Sequence, residues 1–371
     1  MNIYYDYQVL YNQKYGGISR YYYELINTIE RLNLAHTDIN CKFSTNHYFN
    51  GYNGINEGSA FLDIKSSMIR RPLRLCGHML NQTITKRKAR GADILHLTYY
   101  APYALTIPDV KKVVTVYDMI EEVKKKDSSL DRVIANKKEC IYKADHVIAI
   151  SESTKHDILK LYPDVPENKI SVIYIGTSMK GSSKNITSGK TVNFPEKYIL
   201  FVGQRGGYKN FNGFVNAVKP LLANDKSLYL LCVGGGKFTE DEVNRIKEVN
   251  DQVVQMNAND DALIAAYTNA LAFVFPSLYE GFGIPTLEAF TCGCPAVISN
   301  TSSMPEVGGD AVLYFNPENE NDMREQIKKL LNDSELRTDM IRKGKERLKL
   351  FSWDEIAKQT VDVYKKVTAS G

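Results

Sequence analysis

The sequence predicts two α/β domains in series, each built on a doubly wound parallel sheet. Three observations carry this. Short runs rich in Val, Ile, Leu and aromatic residues alternate with stretches of helical length, the rhythm of strand–crossover–strand units. A polar tract over 176–190, GTSMKGSSKNITSGK, interrupts that rhythm, which then restarts. The 371 residues are enough for two or three cores of ordinary size. An apolar fraction of 43% and a charged fraction of 24% fit a soluble globular chain. A net charge of +4 is too small by itself to imply nucleic acid. Six scattered cysteines read as reduced thiols. Cys292 and Cys294 lack a second Cys or His pair, so no zinc site is expected. The opening MNIYYDYQVLYNQ has no basic region followed by an apolar core, so no signal peptide is expected. No apolar run approaches the roughly 20 residues that span a bilayer, and a cytoplasmic location is expected.

In the first domain, Ile3–Val9 is the expected first strand. It leads through Gln13–Arg20 into an apolar-periodic helix, Tyr21–Leu32. Gly16 and Gly17 either let a ligand approach the backbone or form a plain tight turn. The full G-x-G-x-x-G pattern is missing, so a dinucleotide reading is poor. Lys65–Arg90 holds eight basic residues and no Asp or Glu. Its apolar residues, among them Leu73, Leu75, Met79, Leu80 and Ile84, recur at near-helical spacing. Such a basic amphipathic segment suits an anionic membrane surface. A solvated face on a core helix is the plainer alternative, and nucleic acid a distant third for want of interleaved aromatics. Ile94–Thr98, Val113–Tyr117 and Val147–Ser151 are further strands. Their carboxyl ends, where such sheets gather chemistry, carry His96 with Tyr99 and Tyr100, Tyr117 with Asp118, and Ser151 with Glu152 and Ser153. Asp118 is a substrate contact or a structural cap. Ile170–Ile175 precedes the polar tract, whose Asn185-Ile186-Thr187 formally fits a glycosylation acceptor but is discounted without a secretory signal.

In the second domain, Tyr198–Val202 is followed by Gly203–Asn210 and a helix from Phe211. Arg205 and Lys209 put two cations beside glycines, as an anionic leaving group requires; ordinary basic residues on a surface turn are the alternative. Leu228–Val233 leads into Gly234-Gly235-Gly236-Lys237, but the P-loop pattern fails at Phe238. Gln252–Met256 precedes a helix over Ala262–Ala270. The densest stretch is 271–300: a strand at Ala272–Phe275, a loop with Glu280, a helix opened by Pro285 and stopped by Gly293, and a strand at Ala296–Ser299. Free N–H groups of Thr286 and Leu287, with the helix dipole, would seat an anion between two carboxylates, Glu280 and Glu288. An ordinary crossover with solvated glutamates is the alternative.

The string Glu280-Gly-Phe-Gly-Ile-Pro-Thr-Leu-Glu288, between its two strands, resembles the E-x7-E signature of retaining glycosyltransferases of family 4, which have the GT-B fold. Gly16-Gly17, Tyr208-Lys209-Asn210, Ser302–Val307 and Phe351-Ser352-Trp353 resemble the same family, as does Val116-Tyr117-Asp118, where the family often reads V-H-D. The resemblance covers nearly the whole chain and is weakest over residues 41–90. It implies two Rossmann-like domains facing a central cleft: 1–178 on the acceptor side, a linker at 179–194, a donor domain at 195–351, and a tail, 352–371, packing back on the first. It implies a nucleotide-diphosphate sugar as donor. Arg205, Lys209, Gly16, Gly17, Thr286 and Leu287 would hold the diphosphate. Glu280, Gly281, Phe282, Gly283, Ile284 and Glu288 would hold the sugar and ribose. Glu280, Asp118 and Tyr117 are the catalytic candidates. No D-x-D stands at a suitable strand end, so no metal and no other cofactor is expected. The branch resembled is that of bacterial surface-polysaccharide mannosyltransferases. It implies GDP-mannose, with a UDP- or dTDP-sugar as the alternative, and a lipid-linked glycan acceptor at the inner face of the membrane. Arg70, Arg71, Arg74, Lys86, Arg87 and Lys88 would make the membrane contact. A nucleotide-sugar epimerase and a non-catalytic nucleotide-sugar-binding protein are the rival classes.

Overall fold

A computed structural model of the chain describes residues 1–57, 67–124, 130–179 and 194–369. Lys65, the side chain of Arg70, Asn185–Thr187 and most of the expected linker lie outside the described residues. The chain divides into two compact units, Met1–Gly176 with Ser352–Gly371, and Thr177–Phe351.

The sheet of the first unit contains β1 (Asn2–Tyr5), β2 (His36–Ile39), β5 (Ile94–Leu97), β6 (Lys111–Val116), β7 (His146–Ala149) and β8 (Ile170–Val172). Their order is β2-β1-β5-β6-β7-β8, all parallel. A separate parallel pair, β3 (Cys41–Ser44) and β4 (Ile55–Glu57), stands beside it. The expected strand at Ile3–Val9 stops at Tyr5, and Gln8–Asn12 is a helical turn. The reason is Asp6, whose buried carboxylate accepts the Thr98 N–H (2.7 Å) and the Thr98 hydroxyl and ties the chain to the end of β5. The Trp353–Ala369 helix packs along the Gly17–Arg31 helix. Trp353 lies 5.8 Å from the ring of Tyr21, and Tyr364 hydrogen-bonds the buried His96 Nδ1 at 2.5 Å. Burial pushes His96 down to about 3, so the imidazole is neutral and part of the core.

The sheet of the second unit contains β9 (Tyr198–Val202), β10 (Tyr229–Val233), β11 (Val253–Met256), β12 (Ala272–Phe275), β13 (Ala296–Ser299) and β14 (Leu313–Phe315). Its order, β11-β10-β9-β12-β13-β14, again all parallel, is the 3-2-1-4-5-6 arrangement of a nucleotide-binding doubly wound sheet. Strands such as YILFV and AFVF are apolar at every position because helices cover both faces. Phe201 of β9 packs between Phe211 and Phe214 at 5.1 and 5.8 Å, which docks the Phe211–Asn224 helix. The strand order reverses between β9 and β12, so the loops after these two strands flank the crevice where such sheets bind ligands.

Candidate functional site

The loop after β9 carries Lys209 and the loop after β12 carries Glu280. A backbone bond from the Leu278 N–H to the Tyr208 carbonyl (2.8 Å) ties the two loops together. Lys209 Nζ then donates to Glu280 Oε1 at 2.7 Å. The ammonium also lies over the rings of Tyr208 (5.1 Å) and Phe275 (5.4 Å), which favour a cation. Side-chain exposures of 19% and 11% leave the pair partly desolvated yet reachable.

The Ile284–Thr291 helix begins directly after this loop, with Pro285 in its first turn and Gly283 as its cap at φ +107°. The N–H of Thr286 donates to the Gly283 carbonyl (2.9 Å). Leu287 is the fourth helical residue, the position at which regular i→i−4 bonding begins. The expected anion seat on Thr286 and Leu287 is therefore corrected: the helix geometry leaves the mouth to the N–H groups of Gly283 and Ile284. The Thr286 hydroxyl is fully buried and without a partner in the structure. Half-buried Glu288 receives a hydrogen bond from Tyr267 (3.1 Å), a fully buried phenol that burial and Glu288 hold protonated. Sequence reading missed Tyr267, which nothing but its place in an apolar helix could have flagged. Gly281 and Phe282 complete the buried loop, with Phe282 5.7 Å from Phe351.

Arg205 is the main correction. Its guanidinium is buried and committed to the protein. Nε meets Glu242 Oε1 at 2.9 Å; Nη1 donates to the Gly234 carbonyl (2.8 Å), and Nη2 to those of Gly236 and Lys237 (2.9 Å each). Phe238 stacks 4.6 Å away. Gly234, Gly235 and Gly236 all have positive φ, and a Cβ at Gly235 would lie 2.7 Å from Nη1. The glycine run thus wraps the Arg205 guanidinium. The burial of Glu242 is outweighed by the Thr239 N–H and Arg205, which hold its carboxyl below the usual range. A cavity of about 390 Å³ opens at this loop, lined by Gln204, Asn210 and Thr239 and by the Arg205–Glu242 pair itself.

In the first unit, Gly16 precedes the Gly17–Arg31 helix, and a Cβ on it would strike the Gln13 side chain at 2.4 Å. Gln13 Oε1 caps the helix by accepting the Ser19 N–H. Above Gly17 the space is open. Tyr117, a catalytic candidate, is corrected: its hydroxyl is sealed from solvent, burial pushes the phenol well above its ordinary value, and its ring meets Tyr21 edge-on at 5.9 Å. It offers neither acid–base chemistry nor a sugar contact. Asp118 accepts the Ile120 N–H (3.1 Å) as a cap and lies 3.9 Å from Lys137 Nζ. Lys137 is buried, donating to the Asp118 carbonyl (3.0 Å), Glu121 (2.9 Å) and Glu122 (2.9 Å). Burial works to discharge it, but Asp118, Glu122 and Glu121 outweigh burial and hold the ammonium above its usual value. Burial pushes Asp118 up to about 6 against the pull of Lys137. Asp6, missed by sequence reading, lies at the β1–β5 switch point, pushed up to about 6 by burial. A cavity of about 570 Å³ in this unit runs instead along edge strand β2.

The basic segment forms a helix, Ser67–Lys88, that is inside out. Gly77, Asn81 and Thr85 face the protein. Asn81 bonds both backbone groups of Lys42, and a Cβ at Gly77 would strike the Tyr11 hydroxyl. Leu75 and Met79 face outward, 62% and 60% exposed, as do Arg71, Arg74, Lys86, Arg87 and Lys88. No helix among the described residues is long and apolar enough to cross a membrane. Among them there is also no group of three or more His, Cys, Asp or Glu placed to hold a metal.

Comparison with known proteins places this geometry in a family. Residues 15–179 match the model of Glycosyltransferase Family 4, and residues 183–347 that of Glycosyl transferases group 1. The chain belongs to the family 4, group 1 glycosyltransferases. O-antigen chain mannosyltransferase B of Escherichia coli is 30% identical over 247 residues, 61% of this chain and 62% of the relative. O-antigen chain mannosyltransferase RfbU of Salmonella typhimurium is 29% identical, over 61% of this chain and 62% of its own. The chain thus matches about three-fifths of the length of these relatives. Two solved structures share the GT-B fold: sucrose-phosphate synthase from Thermosynechococcus elongatus (TM-score 0.74, 20% identity, all of both chains) and HepE of Anabaena in complex with UDP (0.71, 15%, 98% and 99%).

Proposed function

We propose that this chain transfers a sugar from a nucleotide diphosphate to a glycan with retention of the anomeric configuration. The observation that carries the reading is the Lys209–Glu280 pair at the switch point of the second sheet. In transfer, the bond between the anomeric carbon and the diphosphate oxygen breaks and its electron pair stays with the diphosphate. Lys209, with the N–H groups of Gly283 and Ile284, would meet that growing charge, and no metal is required. Glu280 would hold the sugar, and Glu288, oriented by Tyr267, the ribose hydroxyls. The acceptor oxygen bonds the anomeric carbon from the same face, and its proton passes to the leaving phosphate oxygen. Added chelator should leave the rate unchanged.

The mannosyltransferase relatives make GDP-mannose the leading donor and a lipid-linked surface glycan the leading acceptor. A thermal-shift panel with GDP, UDP, dTDP, ADP and their sugars tests the reading, since a ligand of the native state raises its melting temperature. A shift with GDP and GDP-mannose alone supports it. A UDP or dTDP shift replaces the donor, and no release of free nucleotide with any donor and acceptor overturns the enzyme. The inside-out helix supports peripheral contact with an anionic membrane at the inner face, Leu75 and Met79 entering the interface and the basic residues meeting headgroups. Flotation with anionic and neutral liposomes should show binding lost in the R71E/R74E double variant; equal flotation of both proteins removes the contact.

A further inference from the structure

The loop that carries Glu280, Ser277–Gly283, has no regular structure, so its backbone groups need partners from elsewhere. Four such bonds come from three consecutive residues beyond β13, and the next residue packs on the loop. The Thr301 hydroxyl donates to the Leu278 carbonyl at 3.3 Å. Ser302 Oγ accepts the Glu280 N–H at 2.9 Å. The buried Ser303 hydroxyl lies 2.9 Å from both the Glu280 and the Phe282 carbonyls and shares its hydrogen between them. Met304 Sδ sits 3.0 Å from where a Cβ of Gly283 would be, so a side chain at 283 would crowd it. Both backbone groups of Glu280 are thereby held, which fixes the origin from which its side chain reaches Lys209.

Ser302 does this from a left-handed backbone, φ +49°. Serine is not favoured there; glycine and asparagine are. A strained conformation persists where surrounding contacts over-determine it, and here the contact obtained is the bond to the Glu280 peptide. We propose that Thr301–Met304 is a staple that sets the Glu280 carboxylate, with Ser302 as its positioning residue. This rests on the role given to Glu280 above and is independent of the donor's identity.

The test is a pair of substitutions at one position. Ser302→Gly suits the backbone but removes the acceptor oxygen. Ser302→Asn suits the backbone and keeps a side-chain oxygen. Measured are the melting temperature, kcat, donor KM and amide exchange of the peptide covering residues 278–283. Ser302→Gly is expected to keep or raise the melting temperature, lower kcat about tenfold with KM within about twofold, and speed exchange of that peptide. Ser302→Asn is expected to bring kcat back to within about threefold of wild type. Unchanged kcat and exchange in Ser302→Gly, or activity that simply follows melting temperature across the variants, overturns the staple. If the wild type itself transfers no sugar, the proposed function fails, and the exchange comparison still decides whether Ser302 holds the loop.

Discussion

Each unit holds a lysine against glutamate at the end of a strand, and the two pairings are unlike. Lys137 is 1% exposed and shares its ammonium among the Asp118 carbonyl, Glu121 and Glu122, with the Asp118 carboxylate 3.9 Å away. Lys209 is 19% exposed; among the described residues Glu280 Oε1 is the one acceptor its ammonium reaches. A saturated, buried cation has nothing left to offer a ligand, and its desolvation makes it a structural commitment. A cation with spare donors, in the crevice between β9 and β12, can exchange its partner for a phosphate. Arg205 resembles Lys137 in being buried and bonded to several protein acceptors, though one N–H of its Nη1 is not used by the bond to Gly234. Position at a strand end is therefore not enough to assign a residue to a site; the number of partners it already has decides.

The contrast can be broken by substitution. Lys137→Met should produce the largest effect on stability, about 3–5 kcal/mol, because it strands a buried carboxylate, Glu122, and its neighbours. Urea unfolding measures this, and a loss below about 1 kcal/mol would put Lys137 outside the structural class. Glu280→Gln should leave unfolding nearly unchanged and lower kcat by about a hundredfold; a near-normal rate would move the sugar contact elsewhere. Asp6 sharpens the comparison through pH. Native Asp6 keeps its proton up to about pH 6, while an unfolded chain releases it near the ordinary carboxylate value of about 4. The native state binds the extra proton in that window, so stability from this group is lost as pH rises through it, on the order of 2 kcal/mol. Asp6→Asn should flatten that decline between pH 4 and 6. The smallest effect expected is at Tyr267→Phe, which removes one hydrogen bond to Glu288 and should raise the donor KM about threefold with kcat unchanged.

Much of the fold was legible because buried parallel strands are continuous apolar runs, as in YILFV and AFVF. The edge strands β2, HTDI, and β14, LYF, were not: β2 has mixed polarity, and β14 is only three residues long. The Lys209–Glu280 site was legible from glycines, proline and carboxylate spacing between two strands. Arg205 was misread because its sequence neighbours suggest a phosphate loop, while its true partners, Glu242 and the carbonyls of 234–237, come from another strand end. Tyr117 was misread for a related reason: strand-end position does not reveal that a ring turns inward. Tyr267, Ser302 and Ser303 act through other residues, and no motif records such contacts.

The central claim is that the accessible lysine of the second unit, not the buried arginine beside it, receives the donor diphosphate. Calorimetric titration of GDP-mannose into wild type and Lys209→Ala tests it most directly. The account predicts binding weakened at least about tenfold in Lys209→Ala, with the melting temperature of the free protein unchanged. Equal affinity in the two proteins would contradict it.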